Sequence, residues 1–331
     1  MVLLLLSLYK QRVHLMDNIS FKNFEEAGQA ILKFLSQRFG FKLWMITRTE
    51  GDDWIVLLSE DNGYDVKPGQ VFRWADSFCS HMVQNNAPRI APYSPDVQVY
   101  TDAPINKLVT IKAYIGQPIL KEDGSLFGTL CAIDPEPQSK VLVEDAPLFD
   151  LMGKVLSYTI QAELRATEHI RKAERFEMEA LSDPMTGLYN RRAWDRLVEL
   201  EEERCKRYGH PTAVLMIDLN DLKITNDNLG HAAGDELIKR MAVALKGIVR
   251  SNDIVARLGG DEFAVLSIET NLQNAEKLVT RIQNAFAKAE VSAAIGLAMR
   301  NPTYGLSAAV IEADEKMYQD KILIKATNNN Q

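Results

Sequence analysis

Two clusters of acidic residues in the second half of the sequence are candidates for holding a metal ion. Ala213–Ile217 is an apolar run that predicts a buried strand, and Asp218 follows it directly. Asp261 and Glu262 come after two glycines, between two further apolar runs. Carboxylates at the ends of buried strands lie at a sheet edge, where α/β folds bind ligands. Facing clusters of this kind suit Mg²⁺, which prefers oxygen ligands and substrate phosphates, and they predict a metal site that activates a hydroxyl group.

The glycines before the second cluster are the less ordinary feature. Gly259 and Gly260 would let the backbone approach a ligand more closely than side chains allow. The alternative interpretation is that both clusters are exposed turn carboxylates, which would be adequate for Asp218–Asp221 taken alone. It fits the Gly-Gly-Asp-Glu-Phe segment less well, because more ordinary residues can close a hairpin between apolar strands.

Four segments of this half resemble the motifs of one family. Arg257–Phe263, RLGGDEF, is similar to the signature of the GGDEF family of diguanylate cyclases. Asp183–Arg192 (DPMTGLYNRR) resembles the motif that opens the family's catalytic domain, Asp218–Asp235 its central block, and Ala313–Lys321 its last helix. The resemblance implies a mixed α/β domain that condenses two GTP molecules into cyclic di-GMP and two pyrophosphates, a nucleotidyltransferase reaction.

The resemblance also implies a role for individual residues. Asp218, Asp261 and the carbonyl of Leu219 are expected to bind Mg²⁺, with Mn²⁺ as the alternative ion. Asp261 and Glu262 are expected to be catalytic, with Glu262 beside the metal and helping to activate the 3′-hydroxyl. Contacts with the substrate are expected from Asn226, Asp235, Gly259, Gly260, Lys321 and Lys325.

The expected substrate contacts divide between the base and the phosphates. Asn226 and Asp235 would read the guanine edge, because Asn offers a donor and an acceptor and Asp accepts from the N1 and N2 donors. Lys321 and Lys325 are four residues apart, on one helical face, and would contact phosphates. The family usually has a Gly-Arg pair where this chain has Ile324-Lys325, which keeps the charge but loses the guanidinium fork.

A second constellation stands shortly before the signature. The Arg-x-x-Asp spacing of Arg250–Asp253 (RSND) marks a product-inhibition site in the family. There Arg250 would bind guanine or phosphate bidentately, and Asp253 would accept from guanine. Taken alone, the tetrapeptide would be read as a helix-end salt bridge. We also expect Asp183 and Arg191 to form a structural pair at the entrance of the domain.

The product itself predicts the oligomeric state. Each of the two phosphodiester links in cyclic di-GMP needs the 3′-hydroxyl of one GTP at the α-phosphate of the other. One site holds one GTP, so two sites must face each other in a two-fold homodimer. Two alternatives stay open: a catalytically silent receptor for cyclic di-GMP, and a cyclase with a mixed dinucleotide product. The presence of all the signature acids favours activity, and Asp235 favours guanine.

The first half of the chain predicts an antiparallel sheet with flanking helices. Ser125–Asp134, Asp76–Cys79 and Ile115–Ile119 resemble parts of a GAF domain. GAF domains bind small ligands or only dimerise, so the ligand of this sensor stays unknown. Cys79 and His81 invite a chromophore or redox interpretation, and the alternative is a buried cysteine beside an ordinary loop histidine.

Between the halves, residues 146–180 predict one long helix. Small and apolar residues recur in it at steps of three and four, which is typical of pairing with a copy of the same helix. The alternative is a plain connecting helix. The stripe consists of Met152, Val155, Thr159, Ala162, Ala166, Ala173, Phe176 and Ala180.

The length of 331 residues fits two domains, and we expect an α+β fold overall. The expected divisions are an N-terminal extension (1–19), a GAF-like sensor (20–145), the linker helix (146–180) and the cyclase domain (181–331). Beyond Pro184 the pattern alternates between strands (212–219, 254–258, 262–268, 291–298) and helices (233–249, 272–289, 306–321).

Composition limits the partners and the compartment. A net charge of −7 argues against a broad basic face for nucleic acid. Three widely spaced cysteines form no disulfide or zinc pattern, which fits a reducing cytoplasm. The apolar run Met1–Tyr9 is far short of the ~20 residues that span a bilayer. We interpret it as a clipped membrane segment or as sequence upstream of a natural start at Met16, in preference to a working anchor.

Overall fold

The computed structural model describes residues 21–178 and 181–328. This part of the chain forms two compact units that divide within one long helix, between Thr167 and Glu168. The short segments Glu50–Leu57 and Gly69–Phe72 group with the second unit. The predicted N-terminal extension and residues 179–180 of the predicted linker lie outside the described residues. Among the described helices, none has an apolar stretch long enough to cross a membrane.

The first half of the chain builds a six-stranded sheet. Its strands, in the spatial order β3-β2-β1-β6-β5-β4, are β1 (Leu43–Glu50), β2 (Asp53–Asp61), β3 (Val71–Arg73), β4 (Ile90–Ala91), β5 (Ala113–Leu120) and β6 (Leu126–Asp134). Its α-helices are α1 (Phe24–Phe39), α2 (Phe78–Val83) and α3 (Gln98–Thr101), with 3₁₀ turns at Trp74–Asp76, Ser94–Asp96, Pro104–Lys107 and Lys140–Asp145. The predicted antiparallel sheet of this half is confirmed.

Local sequence sets the ends of helix α1. The side chain of Asn23 accepts a hydrogen bond from the backbone N–H of Glu26, which caps the first turn. Gly40 ends the helix in the left-handed conformation, at a φ of 70° that favours glycine. The buried face of the helix, with Leu32 and Leu35, contributes to the core of the first unit.

A single helix, α4 (Ala146–Met178), spans most of the predicted linker. Leu156 and Ile160 are buried, whereas Val155, Tyr158 and Phe176 are exposed. Exposed apolar residues therefore remain along the outer side of α4. Pairing of this helix with a second copy stays a prediction.

The second unit holds a five-stranded sheet in the order β11-β8-β10-β9-β7. Its strands are β7 (Tyr189–Asn190), β8 (Ala213–Leu219), β9 (Ile254–Gly259), β10 (Glu262–Ser267) and β11 (Ala293–Met299). Its further helices are α5 (Arg191–Tyr208), α6 (Leu222–Leu229), α7 (His231–Ile248), α8 (Leu272–Lys288) and α9 (Gly305–Asn328). All the strands and helices predicted beyond Pro184 are present, and β7, α5 and α6 are additional.

Strand β8 lies between β11 and β10 and is buried along its whole length. Its alternate residues face two different cores, as the two-residue period of a strand requires. Leu215 and Ile217 pack with α7 and α8, and Val214 and Met216 pack with α5 and α9. Layers on both faces explain why the run before Asp218 is continuously apolar.

One glycine of the first unit allows its two central strands to approach closely. A β-carbon at Gly128 in β6 would lie 1.7 Å from the backbone oxygen of Thr47 in β1. We predict that Gly128→Ala lowers the free energy of unfolding by about 1–3 kcal/mol, because the strand backbone must shift. Urea unfolding followed by circular dichroism measures this change. Gly63→Ala is the control, since its β-carbon would lie 3.9 Å from the nearest atoms; equal stability of the two variants would contradict the prediction.

Candidate active site

The signature hairpin brings the two acidic clusters together. In the antiparallel pairing of β8 with β10, Glu262 lies directly opposite Asp218. The backbone N–H of Leu219 donates to the carbonyl of Asp261 at 2.9 Å, which fixes the turn residue beside the end of β8. The sequence placed these residues on separate strands, and the sheet makes them neighbours at one edge.

Glycine geometry makes this turn feasible. Gly260 has a φ of 50° and Gly259 a φ of 154°, both in the range that disfavours other residues. A β-carbon at either position would have no neighbour within 4 Å. The space beside the turn is therefore open. A ligand can approach the backbone closely there.

A lysine from the last helix already neutralises one of the acids. Nζ of Lys321 in α9 lies 2.6 Å from Oδ1 of Asp218, whose residue is only 7% exposed. Lys325 lies one turn further along α9, and its side chain is exposed. The structure thus brings Lys321 into the acidic cluster and leaves Lys325 at the surface.

The donors at this edge fit a hard cation such as Mg²⁺. Asp218, Asp261 and Glu262 offer carboxylate oxygens. Leu219, which offers a carbonyl, follows Asp218 and donates its backbone N–H to the carbonyl of Asp261. Within the described chain, no three His, Cys, Asp or Glu side chains gather closely enough to enclose an ion by themselves. Mg²⁺ commonly keeps waters and takes substrate phosphates with only one or two carboxylates, so this open donor set fits that ion.

The expected guanine-reading residues lie on the two helices after β8. Oδ1 of Asn226 in α6 is buried and has no hydrogen-bond partner among the described residues. A β-carbon at Gly234 in α7 would lie 1.9 Å from that oxygen, so glycine leaves room for the amide. Asp235 follows Gly234 in the same turn. Asn226 therefore lies against the turn of α7 that carries Asp235, and its Oδ1 is left to accept a hydrogen bond from a ligand.

Two arginines connect the opening motif to the signature hairpin. Nη1 of Arg257 lies 3.3 Å from Oδ1 of Asp183, and its Nη2 donates to the carbonyl of Gly260 at 2.9 Å. Arg191 donates to the carbonyl of Leu258 at 3.0 Å and to Oε2 of Glu262 at 3.1 Å. The expected pair between Asp183 and Arg191 is therefore wrong, because each residue pairs with the hairpin instead of with the other.

Sequence reasoning missed these roles although their signals were present. Arg257 opens the signature segment, and Arg191 belongs to the opening motif. Partial burial opposes ionisation of Asp183, but hydrogen bonds from Thr186 and the guanidinium of Arg257 hold its pKa below the ordinary value. The contact is therefore a charged one that fixes the start of the domain to the turn.

The residues of the expected product-inhibition site line one groove. This groove has a volume of about 520 Å³, and Arg250, Ser251, Asp253, Lys246 and Tyr189 are among its lining residues. Asp253 is 9% exposed, and its carboxylate accepts a hydrogen bond from the backbone N–H of Arg250 at 2.9 Å. It also accepts from the Ser267 hydroxyl at 3.1 Å. The hydrogen bonds of Asp253 therefore stabilise the turn, and Arg250 lines the groove.

The described part of the first half has no comparable open site at Cys79. Cys79 is 1% exposed, and the hydroxyl of Tyr114 donates to its Sγ at 3.2 Å. Burial, followed by the neighbouring Cys79, raises the pKa of Tyr114 well above its ordinary value. Cys79 is therefore buried, as the alternative interpretation expected, but His81 lies within helix α2 and not in a loop.

Known proteins resemble this chain over different shares of its length. Residues 180–329 match the family model described as diguanylate cyclase, GGDEF domain. The chain is 28% identical over 261 residues to diguanylate cyclase DgcP of Escherichia coli K12, covering 75% of this chain and 74% of that protein. It is 34% identical over 135 residues to the probable diguanylate cyclase DgcC of the same strain, covering 41% of this chain and 35% of that protein.

A third relative is a response regulator. The chain is 30% identical over 214 residues to response regulator PleD of Caulobacter vibrioides NA1000, covering 58% of this chain and 47% of that protein. The chain spans less than half the length of DgcC and of PleD. The matched region contains the paired acids, the lysine of the last helix and the two arginines described above. This chain carries a GGDEF diguanylate cyclase domain over residues 180–329.

Proposed function

We propose that this chain is an active diguanylate cyclase, which condenses two GTP molecules into cyclic di-GMP and two pyrophosphates. The observation that carries the proposal is the pairing of Asp218 with Glu262 across β8 and β10, with Asp261 at the adjoining turn. A receptor has no need of these acids at one sheet edge. A cyclase needs them to hold a cation and to act on a hydroxyl group.

The acids and the lysine have different roles at the triphosphate: the acids would hold the metal ion, and Lys321 would contact a phosphate. Asp218, Asp261 and the Leu219 carbonyl would hold Mg²⁺, or Mn²⁺, which supplies charge neutralisation of the phosphates and a lowered pKa for the attacking hydroxyl. Lys321, which lies 2.6 Å from Asp218, would be within reach of a phosphate on the cation that this carboxylate would hold. Gly259 and Gly260 let the triphosphate approach the backbone. Glu262 stands beside the cluster to accept the proton of the 3′-hydroxyl.

In the reaction, the 3′-oxygen of each GTP forms a bond to the α-phosphorus of the other, and the bond from that phosphorus to pyrophosphate breaks. One site binds one GTP, so the active species is a two-fold homodimer. We propose that the catalytic domains, the GAF-like sensor and helix α4 all contribute to dimerisation. The exposed Val155, Tyr158 and Phe176 on α4 support the contribution of that helix.

We assign the first half to a GAF-like sensor with an unknown ligand, in a cytoplasmic protein. Its antiparallel sheet and flanking helices support this assignment. The groove at Arg250 and Asp253 supports product inhibition, since its volume of about 520 Å³ is in the range of small-molecule sites. Cyclic di-GMP bound there would act as a feedback inhibitor.

The acids provide the first test. Purified protein incubated with GTP and Mg²⁺ should release cyclic di-GMP, detected by chromatography. An Asp261→Ala, Glu262→Ala variant should be slower by about 100-fold or more, because it loses a metal ligand and the group beside the hydroxyl. Asp195→Ala removes an exposed carboxylate of α5 and should retain the wild-type rate. Absence of product from the wild type, together with binding of cyclic di-GMP, would instead favour the catalytically silent receptor.

The guanine-reading residues provide a second test. We predict that wild-type protein prefers GTP over inosine triphosphate, which lacks the N2 amino group, by about tenfold or more in kcat/KM. Asp235→Ala should reduce this preference to near unity, because the carboxylate acceptor for that amino group is removed. Asp227→Ala, an exposed neighbour of Asn226, is the matched control. A preference that survives in Asp235→Ala would contradict the assigned role.

A further inference from the structure

The last turns of helix α4 belong structurally to the cyclase domain. Arg171 is 5% exposed, and its Nη2 lies 2.7 Å from Oε1 of Glu201, which is 1% exposed. The same guanidinium lies 2.7 Å from Oε1 of Glu269. Arg204 of α5 pairs with Glu201 and with Glu174 of α4. Burying such charges is unfavourable unless they stay paired, so this end of the helix is held firmly in the second unit.

One turn after Arg171, helix α4 contacts the turn Arg250–Asp253, which we call the product turn. The two terminal nitrogens of Arg175 donate to the backbone carbonyls of Ser251 and Asn252, the two central residues of Arg250–Asp253. The side-chain amide of Asn252 donates in turn to Glu168 of the same helix at 3.4 Å. Arginine suits this arrangement, because its planar fork presents donors to two acceptors at once.

The turn is therefore held from two directions. The body of the cyclase holds its last residue, since Asp253 accepts from Ser267 and from the backbone N–H of Ile268 at 3.3 Å. Helix α4 holds its centre through the carbonyls that accept from Arg175. The groove lining includes both Arg250 and Ser251, so the shape of the groove depends on how α4 is docked.

We infer that Arg175 is a positioning residue for the product site, which couples the docking of helix α4 to the binding of cyclic di-GMP at Arg250 and Asp253. This inference rests on the proposed product inhibition, and it adds that helix α4 regulates that inhibition. Linkage requires the coupling to act in both directions by the same factor. Docking of the helix raises the affinity for cyclic di-GMP, and bound cyclic di-GMP holds the helix. A signal that pulls α4 from this contact would relieve inhibition.

Calorimetric titration of the full chain, freed of bound nucleotide, with cyclic di-GMP tests the inference. The variants are Arg175→Met, Arg175→Lys, Lys172→Met and Arg250→Ala. Arg175→Met should raise the Kd by about fivefold or more, the lower range of measured couplings between sites. Arg175→Lys keeps the charge without the fork and should fall between Arg175→Met and the wild type. Lys172 is an exposed cation of the same helix, and its substitution should leave the Kd unchanged.

Amide hydrogen exchange gives a second readout that a purely structural role would not produce. Cyclic di-GMP should slow exchange in residues 168–176 of the wild type and of Lys172→Met, but not of Arg175→Met. If Arg175→Met binds like the wild type while Arg250→Ala does not bind, the inference is overturned and the product site stands. If the wild type itself binds no cyclic di-GMP, the product site fails and the inference fails with it. If Arg175→Met does not fold, the Kd of Arg175→Lys decides in the same way.

Discussion

The antiparallel pairing of β8 with β10 is the constraint on which the rest of the second unit depends. It sets Glu262 opposite Asp218, and the contact between Leu219 and Asp261 continues the same register past the strand ends. A shift of the pairing by one residue would turn Asp218 or Glu262 to the other face of the sheet. Because β8 is covered by helices on both faces, such a shift would also exchange the residues that pack in its two cores. Core packing and site geometry thus specify the same register.

Charged contacts then fix the elements around this pair. Arg257 and Arg191 connect the opening motif to the backbone and the acid of the hairpin, and Lys321 brings the last helix to Asp218. Three segments distant in sequence therefore converge on one turn. An arrangement held before substrate arrives reduces the reorganisation needed during reaction, which is how preorganised electrostatic sites act.

The same unit connects the groove at Arg250 and Asp253 to helix α4. Arg171 and Arg175 stand one turn apart on α4, the first in a buried ion pair and the second at the carbonyls of Ser251 and Asn252. The buried pair sets the position of the helix, and this position determines whether Arg175 reaches the turn.

The sequence by itself determined the order of the motifs, the apolar strands that carry Asp218 and Glu262, and the glycine turn between β9 and β10. These features depend on strand periodicity and on turn residues, which are local properties of the chain. Helix α5 escaped prediction because tertiary packing, through Trp194 and Leu197, stabilises a highly charged segment.

Only the tertiary structure decided which charged groups meet. Sequence reasoning joined Asp183 to Arg191, whereas the fold pairs Asp183 with Arg257 and Arg191 with Glu262. It also gave no sign that Arg175 would reach Ser251. Spacing along a chain fixes side-chain neighbours only within about one helical turn. Partners that lie many residues apart are determined by how strands and helices pack. This packing brings together both the acidic cluster and the contact of Arg175 with the turn Arg250–Asp253.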